Sequence, residues 1–207
     1  MYNIYMLIST RRPYIFSISA NIGAGKTTLL NLLKERGFTV IPEDVENWTY
    51  LKNFYDNQHI AILLQLQIML SRFRQMKNIL KLENIKNNVV FIERSTLDSL
   101  HVFALNALNN NNMSQIDYDL LKGFTEEFGI FPDQIIYLQC SPEVALERKH
   151  GRNRSAEKNM TREYIYQIHE CYEKFIKERT NTIIINVDGI SVDEIYNKLS
   201  NIIKNDF

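Results

Sequence analysis

Closely spaced glycines, a lysine and two threonines occur together in Ala20-Asn21-Ile22-Gly23-Ala24-Gly25-Lys26-Thr27-Thr28. An apolar run, Tyr14-Ile15-Phe16-Ser17-Ile18, precedes the stretch, and Leu29-Leu30-Asn31-Leu32-Leu33-Lys34 follows it with helical spacing. Strand, small-residue loop and Lys-Thr at a helix start are the context in which backbone N–H groups cradle phosphate. Gly23 and Gly25 let those amides turn inward, and the helix N-terminus adds partial positive charge. Lys26 can reach outer phosphates as a point charge, and the Thr27 hydroxyl can join a Mg²⁺ shell. The strict pattern has glycine where Ala20 stands. Alanine is tolerated there if its φ is negative, so a negative φ is the expectation. Two convenient glycines at an ordinary helix start would read the same, so the rest of the chain must decide.

Carboxylates and arginines with chemical potential follow two later apolar runs. Phe38-Thr39-Val40-Ile41 leads into Pro42-Glu43-Asp44-Val45-Glu46-Asn47-Trp48. Pro42 stops a strand ladder, so Glu43 should emerge at the strand end, although adjacent Glu43 and Asp44 also suit a solvated turn. Val89-Val90-Phe91-Ile92 ends in Glu93-Arg94-Ser95. A carboxylate ending an apolar strand beside a phosphate loop is a place for a Mg²⁺ ligand; Ser95 also suits a helix N-cap, and both can hold together. The segment 146–157 carries Arg148, Arg152 and Arg154, then Glu157. Such a charge run is usually a solvated face. Between two helices it could instead fold over a triphosphate as a lid at about 148–160, since each guanidinium fork donates two hydrogen bonds to phosphate.

The elements needed to position these groups are legible as periodicity. Apolar runs at 14–19, 38–41, 89–92, 134–139 and 182–187 lack strong alternation, which predicts strands buried on both faces. Helical spacing occupies about 26–36, 50–83, 95–108, 115–128, 142–149, 161–179 and 191–204. Alternating strands and helices predict an α/β fold with a parallel sheet, whose ligands bind beyond the carboxyl ends of the strands. Within 58–83, Gln65 and Arg72 stand seven residues apart on one helix face, where polar side chains ordinarily look outward. Asn109 to Asn112 reads as a flexible loop.

With 207 residues and no repeat or composition shift, one domain over 1–207 is expected, with 1–12 a short N-terminal extension. Acidic and basic residues balance at 24 each, giving no bulk attraction to nucleic acid or membrane. Cys140 and Cys171 lie far apart and the four histidines lack ligand spacing, which argues against a disulfide framework or zinc site. A cytoplasmic protein is the expectation.

The motifs Ala-Asn-Ile-Gly-Ala-Gly-Lys-Thr-Thr, Pro-Glu-Asp-Val-Glu-Asn-Trp, Phe-Ile-Glu-Arg-Ser and the arginine run, in this order from about Tyr14 to Asp188, resemble the deoxynucleoside kinases. That family includes the deoxycytidine, deoxyguanosine, mitochondrial thymidine and insect multisubstrate enzymes. The resemblance implies a P-loop kinase fold: a five-stranded parallel sheet, helices on both faces and an arginine-rich lid. It also implies transfer of the γ-phosphoryl group of ATP, with Mg²⁺, to the 5′-hydroxyl of a deoxynucleoside. Glu43 then corresponds to the general base, Arg94 to the arginine orienting that base and the 5′-oxygen, and Glu93 and Thr27 to magnesium-shell residues. Gly23, Ala24, Gly25, Lys26, Thr27 and Thr28 would hold the donor nucleotide together with Arg148, Arg152, Arg154 and Asp188. Gln65 corresponds to the glutamine on the base edge, and Trp48 and Phe103 to aromatics around it. Glu157 and Tyr55 correspond to the pair on the sugar 3′-hydroxyl, although Phe54 fits an ungapped register better. Arg72 matches an arginine near the base whose companion aspartate is replaced here by Ser99; Asp98 stands one residue earlier.

Family members are commonly homodimers, and the apolar 58–83 and 95–108 helices are candidates for such an interface. Two other functions fit parts of the same pattern. A thymidylate-kinase-like nucleoside-monophosphate kinase shares sheet, loop and lid, but usually carries Arg-Glu-Pro-Gly-Gly where this chain has acids. A non-catalytic nucleotide-binding protein on the same fold draws its support from Ala20.

Overall fold

The computed structural model describes residues 12–79, 85–150 and 159–206. All five apolar runs form strands: β1 (Tyr14–Ser19), β2 (Thr39–Ile41), β3 (Val89–Glu93), β4 (Gln134–Gln139) and β5 (Thr182–Asn186). They pair in parallel in the order β2-β3-β1-β4-β5. β3 is buried throughout and β1 at every residue but its first, whereas edge strands β2 and β5 are only partly covered. Side chains on both faces of the central strands leave water, which is why those runs are apolar without alternation. Phe91 anchors the core, stacked on Phe16 at 5.3 Å and met edge-on by Phe38 at 5.4 Å.

The helices are α1 (Lys26–Glu35), α2 (Leu51–Phe54), α3 (Ala61–Ile79), α4 (Thr96–Asp98), α5 (Leu105–Asn109), α6 (Gln115–Phe128), α7 (Pro142–His150), α8 (Arg162–Lys177) and α9 (Val192–Asp206). Two expectations need correction. The span 50–83 is not one helix: α2 ends at Phe54, Asn57 caps a 3-10 turn at Gln58–Ile60 through the His59 N–H, and only then does α3 begin. Positions 80–83 lie outside the described residues. The span 95–108 is α4 and α5 joined by a π-helical turn, Ser99–Ala104, whose wider winding takes up an extra residue. Asn109–Asn112 is also held in place. The Asn112 N–H donates to Ala107 O at 2.8 Å, and its side-chain amide donates to Gln58 at 3.0 Å.

Strand order brings the chemistry together. β2, β3 and β1 are neighbours, with Ile41 opposite Ile92 and Ile18 opposite Glu93. Their carboxyl ends therefore place Glu43, Glu93 and the loop before α1 side by side. In that loop Gly23 and Gly25 have φ of 85° and 92°. A Cβ on Gly23 would stand 2.2 Å from the carbonyl oxygen of Ala145 in α7, so the loop is both left-handed and tightly covered there. Ala20 is absent from the positive-φ residues, as expected for a loop alanine, and it is fully buried.

These two positions predict opposite tolerance. Gly23→Ala should lose at least about 2 kcal/mol through φ strain and overpacking. Ala20→Gly, which restores the strict pattern, should instead destabilise by about 1 kcal/mol because backbone freedom in the unfolded chain rises. Chemical denaturation of both variants measures this; a stabilising Ala20→Gly would contradict the assigned backbone.

Candidate active site

Glu43 follows the end of β2 and enters a site already crowded with cations. Its Oε1 accepts from Arg72 Nη2 at 2.9 Å and its Oε2 from Arg94 Nη1 at 2.7 Å. The three side chains are 9%, 2% and 9% exposed, so this is a nearly dry cluster. Burial pushes the Glu43 carboxyl up, but Arg94, Arg72 and Lys26 together outweigh it and hold the group below the ordinary glutamate range. Burial also pulls Arg72 down, only partly offset by Glu43, Asp98 and Glu93, yet a guanidinium keeps its charge at neutral pH. For Arg94 the order reverses: burial lowers it, and Glu43, Tyr172, Glu93 and Asp98 more than compensate.

Arg94 owes its direction to a break in the backbone. Its N–H still bonds Ile18 O at 3.1 Å, continuing the ladder between β3 and β1, but its φ is 55°. The left-handed residue turns the chain into Ser95, which caps α4 in a box with Asp98. The expected N-cap is therefore present alongside the strand-end carboxylate. Such a φ costs an arginine about 1–2 kcal/mol, and the side chain holds it in place. Nη2 donates to Ala20 O at 3.0 Å, Nε donates to the Tyr172 hydroxyl at 3.0 Å, and the guanidinium lies 5.1 Å over Phe103.

On the loop side, Lys26 is 5% exposed and donates to Ala20 O and Asn21 O at 3.1 and 2.9 Å. Thr27 Oγ1 donates to Glu93 Oε1 at 3.4 Å, and Glu93 Oε2 accepts the Glu43 N–H at 3.3 Å. A hydroxyl and a carboxylate beside an amide-lined loop are hard oxygen donors suited to Mg²⁺. Among the described residues no group of three or more His, Cys, Asp or Glu could hold a metal alone. A Mg²⁺ ion would take the rest of its shell from phosphate and water, as it commonly does. Thr28 is exposed and Ala24 buried in the same turn.

Beyond Glu43 opens a cleft of about 760 Å³, counting the solvent at its mouth. Trp48, Phe54, Tyr55, Gln65, Ser99 and Phe103 line it. Gln65 is 3% exposed and its Oε1 has no partner; the Trp48 indole Nε1 is likewise buried and unpaired. A pair of unsatisfied polar atoms in an aromatic wall marks a place where a ligand completes the hydrogen bonds. Phe54 and Tyr55 both line the wall, and of the two only Tyr55 carries a hydroxyl. Tyr164 of α8 lines it too, edge-on to both at 6.0 and 5.6 Å. Sequence reading missed Tyr164 because it sits in the apolar stripe of α8 with Ile165 and Ile168, where spacing indicates core.

Other candidates fall elsewhere. Arg72 does not look outward and is not on the cleft wall: it lies behind Glu43, 1% exposed, with its Nε unpartnered. Its direction follows the carboxylate, the stronger pull in a dry site. Asp188 accepts the Ser141 N–H at 3.2 and 3.1 Å, tying the turn after β5 to that after β4. Arg148 spans from Val187 O, at 3.0 Å, toward Gly25, and so flanks the loop. Arg152, Arg154, Glu157 and most of the lid lie outside the described residues. Burial pushes the Cys140 thiol up to about 12 and the Cys171 thiol up to about 11, so neither is a thiolate nucleophile at neutral pH.

Comparison with known proteins gives one consistent result. The family model for deoxynucleoside kinase matches residues 16–205. Deoxycytidine kinase of Homo sapiens is 30% identical over 196 residues, covering 79% of this chain and 75% of its own. Deoxycytidine kinase 2 of Gallus gallus is 31% identical over 213 residues, covering 86% and 78%. Among solved structures, the deoxyadenosine kinase of M. mycoides with dCMP and dCDP bound superposes with a TM-score of 0.78 at 25% identity, over 90% of this chain and 99% of that one. The same enzyme with dATP bound gives 0.77.

The ion-pair cluster makes a stability prediction. Arg72→Met leaves a buried carboxylate with one guanidinium fewer, and breaking such a pair costs about 3 kcal/mol. For a chain of this size that lowers Tm by roughly 6–12 °C. Thermal denaturation checks it, and an unshifted Tm would show that Arg72 is not needed to neutralise Glu43.

Proposed function

This chain belongs to the deoxynucleoside kinase family, and on that premise we propose how its cleft passes the γ-phosphoryl group of ATP to the 5′-hydroxyl of a deoxynucleoside. The observation that carries the reading is the position of Glu43. Its carboxylate sits where the phosphate loop meets the aromatic cleft, between the donor's place and the acceptor's.

Phosphoryl transfer asks mainly for alignment and charge neutralisation. Gly23 to Thr28 turn their amides toward the β- and γ-phosphates, and Lys26 exchanges the Ala20 and Asn21 carbonyls for phosphate oxygens. Thr27 and Glu93 would hold Mg²⁺, which would supply positive charge at the transferring group. Arg148, with Arg152 and Arg154, covers the phosphates. In the cleft, Gln65 meets the base edge while Trp48 and Phe103 pack the ring; Tyr55 and Glu157 take the sugar 3′-hydroxyl. The 5′-hydroxyl then gives its proton to Glu43 while Arg94 steers both groups. Glu43 is held as a carboxylate by Arg94 and Arg72, so it is ready to accept.

Base selection is broad on this reading. Arg72 is engaged by Glu43 and Ser99 offers only a hydroxyl, which leaves Gln65 as the charge-free reader. One amide presents a donor and an acceptor, and it can rotate to match adenine or a pyrimidine edge. The buried Ala20 with negative φ removes the main support for a non-catalytic reading. Glu43 and Asp44 would repel the acceptor phosphate of a monophosphate kinase. One domain over 1–207 accommodates the whole site.

An interface also follows. Leu63 and Leu70 on α3 and Ile116, Leu120 and Phe128 on α6 are exposed, and the two helices pack together. The 95–108 segment, proposed from sequence for this role, is mostly buried and contributes little. A homodimer through α3 and α6 suits the exposed apolar face. Among the described residues no helix is long and apolar enough to cross a membrane, and two buried unpaired thiols suit a reducing cytoplasm.

Three measurements test these proposals. Glu43→Gln should lower turnover by about 10²-fold or more while isothermal titration still detects nucleoside and ATP; near-normal turnover would remove Glu43 as base. The same assay with thymidine, thymidine monophosphate and the other three deoxynucleosides should show nucleosides preferred, and a preference for the monophosphate would point to the monophosphate-kinase reading. Ile116→Glu with Leu120→Glu should convert a dimer to monomer in light scattering without loss of Tm; a dimer unaffected by both would place the interface elsewhere.

A further inference from the structure

Behind Arg94, on the side away from Glu43, lies a set of groups with no part in the transfer as described. Arg94 Nε donates to the Tyr172 hydroxyl at 3.0 Å, and that hydroxyl donates to Asp98 Oδ1 at 3.0 Å. Asp98 Oδ2 in turn accepts the Ser95 N–H at 2.8 Å and its hydroxyl at 3.1 Å. Tyr172, Asp98 and Ser95 are completely buried. The tyrosine ring cannot swing: it stacks on Tyr137 at 5.5 Å and meets Phe103 edge-on at 6.3 Å. A phenol is suited to this place because it accepts from an arginine and donates to a carboxylate at once.

The geometry has a reason in the sequence. The resemblance to the family puts an aspartate at the position of Ser99, and here the carboxylate stands one residue earlier. One residue moves a side chain by about 100° around a helix. Ser99 consequently lines the cleft, while Asp98 faces α8 and finds Tyr172.

Three bonds from three nitrogens define the guanidinium plane: Nη1 to Glu43, Nη2 to Ala20 O and Nε to Tyr172. Without the third, the plane can pivot about the other two. We propose that Tyr172 and Asp98 are positioning residues for phosphoryl transfer, a relay that fixes the Arg94 guanidinium so that its Nη1 edge stays aimed at Glu43. This rests on the proposed role of Arg94 in orienting Glu43 and the 5′-oxygen.

Tyr172→Phe keeps the ring and its packing and deletes the hydroxyl. In steady-state kinetics with ATP, Mg²⁺ and the best deoxynucleoside, kcat should fall about tenfold, since a small misplacement of an orienting group costs rate rather than affinity. The KM values for both substrates should stay within about twofold, a split that general loosening of the fold would not produce. Asp98→Asn should give a loss of similar size, and the double variant should be no slower than the slower single one, because both act through one group. On an Arg94→Lys background, adding Tyr172→Phe should change kcat by less than about twofold. Should Tyr172→Phe lose its cooperative melt, Asp98→Asn carries the same comparison on that background. Unchanged kcat in Tyr172→Phe, or the full tenfold loss persisting with Arg94→Lys, overturns the relay. If Arg94→Lys alone is as active as the parent enzyme, the role given to Arg94 fails, and the relay fails with it for that distinct reason.

Discussion

A carboxylate that must stay ionised in a dry pocket has to be matched by charge brought from elsewhere in the chain. Glu43 meets that condition with one arginine on each oxygen, Arg72 from α3 and Arg94 from the end of β3. Burial alone would push its proton affinity up and the arginines bring it down. Much of the surrounding architecture can be read as the cost of that arrangement. α3 delivers Arg72 to the residue that follows β2 and Pro42, and the residue after β3 takes a left-handed φ to deliver Arg94.

The Ala20 carbonyl is the second meeting point. Lys26 and Arg94 both donate to it, at 3.1 and 3.0 Å, so the start of α1 and the turn after β3 share one acceptor. An alanine serves here because only its backbone is used, while its methyl is buried in the core.

The cleft shows the opposite strategy, leaving hydrogen bonds unmade. Trp48 Nε1 and Gln65 Oε1 are buried without partners, against the tendency of interiors to satisfy every polar atom. Phe54, Tyr55, Phe103 and Tyr164 line the same cleft, so these two polar atoms stand in a largely aromatic part of its wall. Arg72 is occupied by Glu43 and is not part of the cleft wall, whereas the neutral amide of Gln65 is.

Much of this could be read without coordinates. The apolar runs are the strands, because central strands of a parallel sheet carry their burial in composition. The loop from Ala20 to Thr28, Glu43, Glu93 and Arg94 were legible because each stands at or just beyond the end of a strand, where such sheets place their ligands. Only the tertiary structure decided which strand ends are neighbours, since pairing of β3 between β1 and β2 is a long-range choice that no local pattern records. It decided that Arg72 serves the carboxylate and not the cleft, a matter of which charge lies within reach in a dry interior. It also revealed that Tyr164 lines the cleft and that the Tyr172 hydroxyl bonds Arg94 and Asp98, invisible in sequence because such a buried tyrosine has the same spacing as one that merely packs. Periodicity records which face of a helix leaves water; what that face meets depends on residues far away in the chain.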